Sequence, residues 1–451
     1  MFVRLGPRSR AALGAALVAA VVPLVSSDIG GPSQTDRVAG EITARGGGGG
    51  TGSGGNGLLK GSEAGRTDGR RTGVGSTGDS GAGRGVGKYG DADDWDGEVQ
   101  VLGDGSTSYS GPPKDQLKPE RLKPGEKPPQ FVVFSWDGAL EGDDKLFSRF
   151  REVAKESEAH MTLFLTGIYL LPESKKRLYK PPQHGVGAAA ISYPTREHIR
   201  MTLKQLGEAW NEGNEIGSHF NGHFCGAKGG GDWSTAEWKS ETEQAYGFVK
   251  NWKTNTGFTD IDPLPFDPDR EFVGGRAPCL EGQKTLIPAV KPFGWRYDAS
   301  SAGDFQIWPA KRDGVWDFPL QLLPYPGGKF QALSMDFNFL FNQTGGSTDG
   351  DPAKRDKWHQ EAKQAYLDGF ERVYNGSRAP LFIGNHFEDW NGGIYMDAVE
   401  DVMRDVCPRE GVRCVSFREL ADWLDAQDPA TLARLRNLDP AQVPDWRAMV
   451  R

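Results

Sequence analysis

The sequence predicts an α/β fold, an irregular (β/α) barrel of about seven strands, and three observations predict it. From residue 131 onward, short apolar runs alternate with stretches of helical periodicity, the pattern of parallel strands joined by crossover helices. The polar residues with chemical potential fall at the C-terminal ends of those apolar runs. In a β/α barrel these ends converge on one face, where active sites are built. The chain's 13 tryptophans and 23 phenylalanines concentrate in the same portion and supply a large core.

Taken in order, residues 131–134 (Phe-Val-Val-Phe) read as a buried strand and 143–158 as the helix that follows it. A second strand spans 161–165, a helix 202–211, a short strand 215–218 and a long helix 234–252. Phe272 and Val273 form the next strand, and 294–297, 315–322 and 332–337 three more. A helix over 354–374, a strand over 381–383, a helix near 396–406 and a strand-helix unit over 414–424 complete the alternation. There is no internal repeat.

Not all of the 451 residues belong to this domain. Of 62 glycines, 21 lie between Gly40 and Gly90, in a stretch without proline and nearly without large apolar side chains. Such a segment buries too little surface to offset its ordering entropy and is expected to be disordered. The chain therefore divides into a signal peptide (1–27), a glycine-rich linker (28–110), a proline- and lysine-rich spacer (111–130), the folded domain (131–425) and a helical tail (426–451). Arg4, Arg8 and Arg10 before the apolar run 11–25, with Ser26 and Ser27 after it, form the export signal; the alternative is an uncleaved membrane anchor. Either way the remainder lies outside the cytoplasm, secreted or tethered at the cell surface. The spacer should be extended and semi-rigid, a passive tether.

The net charge of −8 and the lack of a basic run in the folded part exclude a nucleic-acid partner. No apolar stretch of ~20 residues follows the N-terminus, so the domain is not embedded in a bilayer. A monomer is expected. The four cysteines, Cys225, Cys279, Cys407 and Cys414, fit an oxidising compartment and predict two disulfides; none has the C-x2-C spacing of a thiolate zinc site.

His219 and His223 are four residues apart, so on one helical turn both imidazoles can chelate a single cation. Phe220 stands where a zincin carries glutamate, which excludes that protease class. Asp137 is the obvious third ligand, and two imidazoles with one carboxylate suit Zn²⁺, or another divalent metal, with an open position for water.

The succession Phe134-Ser135-Trp136-Asp137-Gly138, His219-x3-His223, Arg276-Ala277-Pro278-Cys279, Asp298 and Gly384-Asn385-His386 resembles the polysaccharide deacetylases, the NodB-homology group of carbohydrate esterases, over 131–424 and in the family's order. The resemblance implies that Asp137, matching the second aspartate of T-F-D-D-G, ligates the metal with His219 and His223. It implies that the bound water attacks an acetamide carbonyl on an N-acetylated glycan such as cell-wall glycan or chitin. Arg276 matches the arginine that orients the base carboxylate, and His386 the histidine that donates a proton to the leaving amine.

The departures matter as much. Trp136 replaces the family's first aspartate, its general base, and could instead hold a sugar that is never hydrolysed, which would make the chain a non-catalytic glycan binder. Asp298 is kept as a catalytic candidate, but Ser301-Ala302 replaces the Asp-Trp that follows it, leaving the partner of His386 open. Cys279 replaces an aromatic residue, and with Cys225 close behind His223 a disulfide could brace the two loops. Trp390 is the tryptophan expected to stack on sugar at the rim. A glycoside hydrolase is disfavoured, since no pair of carboxylates flanks a common point.

Overall fold

The computed structural model describes residues 97–328 and 330–451. The signal peptide and most of the glycine-rich linker lie outside the described residues. The described chain opens with a hairpin, β1 (Gln100–Leu102) and β2 (Thr107–Tyr109). It then runs through β3 (Gln130–Gly138), α1 (Leu146–Glu156), β4 (Thr162–Leu165), α2 (Arg196–Asn211), β5 (Glu215–Ser218) and α3 (Thr235–Lys250). Short helices α4 (Trp252–Thr256), α5 (Pro268–Glu271) and α6 (Gln283–Val290) follow, then β6 (Tyr297–Asp298), β7 (Ala310–Arg312), β8 (Val315–Asp317), β9 (Leu322–Pro324) and β10 (Gln331–Leu333). The last part comprises α7 (Asp336–Thr344), α8 (Arg355–Tyr374), β11 (Leu381–His386), α9 (Trp390–Val406), β12 (Val412–Cys414), α10 (Phe417–Ala426), α11 (Pro429–Leu435) and α12 (Trp446–Met449).

The central sheet is parallel, in the order β11-β3-β4-β5, with β12 pairing the first half of β3. Strand β3 is buried almost throughout, as expected for a near-continuous apolar run in a parallel sheet covered on both faces. Its side chains divide by the period of two. Val132, Phe134 and Trp136 enter the core between sheet and helices, while Phe131 and Val133 enter a second core with Phe164, Tyr297, Phe318 and Phe382.

The α/β class agrees with the expected one, but the strands are not one continuous seven-stranded sheet. β6, β7 and β8 form a separate mixed sheet and β9–β10 an antiparallel pair. Between these units single bridges replace ladders, Ser218 with Gly275 and Met335 with Gly384. The expected strand at Phe272-Val273 is not formed. Gly274 and Gly275 follow it, and a Cβ at either would fall 2.3 Å from Tyr297 or from the Ser218 carbonyl. That close approach lets the chain pass Ser218 while making one bridge.

Helix α2 starts six residues before the expected 202, because Thr195 accepts from the His198 amide and caps it there. The spacer departs from a free tether. The Leu117 and Leu122 amides donate to Glu419 and Gln427, at 2.8 and 2.9 Å, and both leucines pack on the second core. The tail likewise packs there through Leu432, Leu435 and Leu438. The disulfides are Cys225–Cys279 and Cys407–Cys414. Among the described residues no helix is long and apolar enough to cross a membrane.

Candidate active site

Parallel register sets the site. Asp137 on β3 pairs directly with His386 on β11, so the two side chains leave adjacent strand ends on the same face. Arg276 enters from the far side: its backbone amide donates to the carbonyl of Ser218, the last residue of β5. Its Nη1 donates to Asp137 Oδ1 at 2.8 Å and its Nε to the Ala299 carbonyl at 3.0 Å. The guanidinium also lies over the Phe164 ring, and Arg276 is wholly buried. Burial alone would raise the Asp137 carboxyl, but Arg276, with help from His219 and His386, holds it below the ordinary carboxylate value. Asp137 is therefore an ionised, acceptor-only group in a buried setting.

His386 has a partner that sequence reasoning missed. Asp336, the first residue of α7 and itself buried, accepts from the His386 amide at 2.6 Å through Oδ2, and its Oδ1 lies 2.8 Å from His386 Nδ1. Burial opposes a charge on this imidazole, yet Asp336, with smaller contributions from Asp137 and Glu388, raises it to about 9. The signal that could have found Asp336 was a carboxylate at the end of the apolar run 332–335, the position that drew notice to Asp137.

His219 Nδ1 sits 2.8 Å from the Arg276 carbonyl, so that nitrogen carries the proton and Nε2 keeps a free lone pair. The His223 ring is 5.4 Å from the His219 ring, centroid to centroid. Burial, reinforced by His219, holds His223 neutral down to about pH 3, the form that ligates metal. The two imidazoles thus fit a divalent cation. Asp137, the expected third ligand, is bonded to Arg276 and feels the charge of His219. Among the described residues, the group whose ligand atoms all lie within 4.8 Å of one another is His223, Cys225 and Cys279.

Two expectations are corrected. Trp136 cannot hold substrate: it is fully buried on the opposite face of β3, 4.8 Å from the Phe150 ring and stacked on Phe387 at 5.5 Å. Strand alternation places 136 and 137 on opposite faces, so the residue before Asp137 belongs to the helix-side core. Trp136→Asp should accordingly not restore a base. It should bury an unpaired carboxylate where an indole packed, lowering stability by about 3–5 kcal/mol or more in chemical denaturation and yielding no new activity.

Asp298 is also displaced from the expected role. Its Oδ1 accepts from the Ser300 amide and hydroxyl, and Ser300 Oγ in turn accepts from the Ala277 amide at 2.8 Å. Burial raises Asp298 to about 7, with Asp317 directly opposite it on β8 adding to the shift. Through Ser300, Asp298 supports the backbone beside Arg276. Trp390 opens α9, half-buried, with its ring 5.3 Å from that of His386.

These features describe a cluster of titratable side chains at parallel strand ends, and solved structures similar to the chain include polysaccharide deacetylases and a pseudoenzyme. The chain is similar to a structure assigned as a polysaccharide deacetylase from Mycobacterium smegmatis, at 15% identity over 68% of this chain and 96% of that one, with a TM-score of 0.40. It is also similar to a CE4 family pseudoenzyme from Bacillus anthracis (10%, 70% and 72%, 0.35) and to a polysaccharide deacetylase from Bacillus cereus (12%, 64% and 92%, 0.34). No family model and no curated protein matches the sequence.

Proposed function

We propose that this chain is an extracytoplasmic hydrolase of the deacetylase type that removes acetyl groups from an N-acetylated glycan, with Asp137 as its general base and His386 as its general acid. The observation that carries the reading is the side-by-side placement of two oppositely tuned pairs, Asp137 with Arg276 and His386 with Asp336. One holds a carboxylate ionised and the other holds an imidazole protonated, so a proton acceptor and a proton donor coexist near neutral pH. The role differs from the one the motif resemblance implies for Asp137. Arg276, the match to the arginine that orients the base, is bonded to Asp137 itself.

With Asp137 as base, the following position, Gly138, carries no ligand, and a Cβ there would lie 3.3 Å from Tyr169 Cε2. His219 and His223 are the residues that would hold a divalent cation. Such an ion would polarise the acyl oxygen and acidify a water. Asp137 takes the proton from the attacking water, His386 delivers one to the leaving amine, and Trp390 beside His386 borders the sugar. The two disulfides support an oxidising location.

The test is acetate release from N-acetylglucosamine oligomers and cell-wall glycan by the purified chain with zinc or cobalt. The expected result is release that His219→Ala abolishes. A second reading, a glycan-binding protein without turnover, is favoured by Trp136 standing where the resemblance places the general base. Saturable oligomer binding with no acetate release on any of these substrates would establish it instead.

A further inference from the structure

We propose that Cys225, Cys279 and His223 form a redox-controlled metal site, closed while the two cysteines are joined and open to a soft divalent cation such as zinc once they are reduced. In the structure Cys225 and Cys279 are disulfide-bonded with Cα atoms 5.9 Å apart, and His223 Nδ1 lies 3.9 Å from Cys225 Sγ. In a tetrahedral zinc site with Zn–S near 2.3 Å and Zn–N near 2.0–2.1 Å, the S···N edge is about 3.6 Å. The imidazole is therefore already at ligand distance, and the thiolates need only separate from bonded contact to a tetrahedral edge. Two thiolates and an imidazole, with water in the fourth position, make a donor set suited to zinc.

The site survives loss of its bridge because a second tie joins the same loops. Glu281, two residues past Cys279, accepts from the Gly226 and Gly231 amides at 2.8 and 3.1 Å. The first loop is further fixed by Gly167 N–H to the Phe220 carbonyl at 2.7 Å and Gly230 N–H to the Phe224 carbonyl at 3.0 Å. In these loops Phe220, His223, Cys279 and Leu280 adopt left-handed conformations unusual for residues other than glycine, at φ 55°, 55°, 60° and 57°. Cys225 and Cys279 are each partly exposed, so a reductant reaches the bond.

The balance is simple. A dithiol passes two electrons and two protons to the Cys225–Cys279 bond and is oxidised to its own disulfide, leaving two thiols. The cation then displaces both thiol protons to solvent, two metal–sulfur bonds form, and the lone pair of His223 Nδ1 adds the third ligand. His223 is also the partner of His219, so filling the sulfur site draws it from the imidazole pair. Reduction thereby moves the preferred cation position away from Asp137 and His386. The inference rests on ligand geometry and stands whether or not the chain deacetylates anything.

The experiment is cobalt titration of the described domain's full chain before and after reduction with a trialkylphosphine, read by thiolate-to-cobalt charge-transfer absorption. The Cys407→Ser/Cys414→Ser variant serves as background so that only one cysteine pair can respond. On reduction the bound cobalt should acquire that absorption, which should be lost in Cys225→Ser, and its affinity should fall at least tenfold in His223→Ala. X-ray absorption of the zinc-loaded, reduced background variant should count two sulfur ligands, a measurement that needs no further substitution. Reduction without that absorption, or a sulfur count of zero, overturns the proposal.

Discussion

Asp137→Asn is expected to lower acetate release by about 10²–10⁴-fold, the usual contribution of a positioned acid or base, while the protein remains folded. It should also destabilise the fold by about 3–5 kcal/mol in urea or guanidinium unfolding, because Arg276 is wholly buried and would lose the one carboxylate bonded to it. Nη2 of Arg276 already lacks a partner, so no neighbour is poised to take up the charge. The informative control is metal affinity. If Asp137 is the base, Asp137→Asn keeps the zinc affinity measured by calorimetry close to that of the unaltered protein, whereas His219→Ala loses it. A loss of affinity in Asp137→Asn as steep as that in His219→Ala would return Asp137 to the ligand role and leave the site without a base. Arg276→Met in the Asp137→Asn background should recover much of the stability and none of the activity, since the buried charge leaves with its partner.

The contrast between residues 136 and 137 also marks what was legible beforehand. The apolar run of β3, the H-x3-H spacing and the arginine and histidine at later strand ends pointed to side chains that the fold brings near one another, because burial and period two are local properties. The same period, applied from Phe134 to Trp136, already assigns the tryptophan to the helix side, so its burial was readable and the motif alignment obscured it. The partnership of Asp336 with His386 was beyond local reading. The pairing joins residues 50 apart, and the Met335–Gly384 bridge beside it is a single contact whose partners the run 332–337 alone does not reveal. The single bridge from Ser218 to Gly275 was hidden for the same reason: glycine there signals close backbone approach, which looks like a loop in sequence. The docking of the proline-rich spacer depends on Glu419 and Gln427, some 300 residues away, and composition alone cannot report it.

Asp336→Asn is expected to move the basic limb of the pH–activity profile from near pH 9 to below 6.5, the ordinary histidine value. The sign follows from what faces the imidazole. Burial by itself lowers His386, and Asp336 is the largest influence raising it, so with a neutral amide in its place burial prevails. At pH 8 the fraction of protonated acid, and with it kcat, should fall about 30-fold or more, while at the acidic end of the range the variant approaches the unaltered enzyme. Protonation of His219 and His223 at low pH affects both proteins alike, so the ratio of their rates is the quantity to follow. Stability obeys the same linkage. A group raised on folding stabilises fully below its unfolded value and loses that contribution as pH rises through its folded value, here between 6.5 and about 9, with a magnitude on the order of 3 kcal/mol. The pH dependence of unfolding over that window should therefore flatten in Asp336→Asn. A variant that loses activity equally at every pH, with the limb unmoved, would mean that Asp336 merely supports the backbone at His386, and that the proton reaching the leaving amine comes from another group.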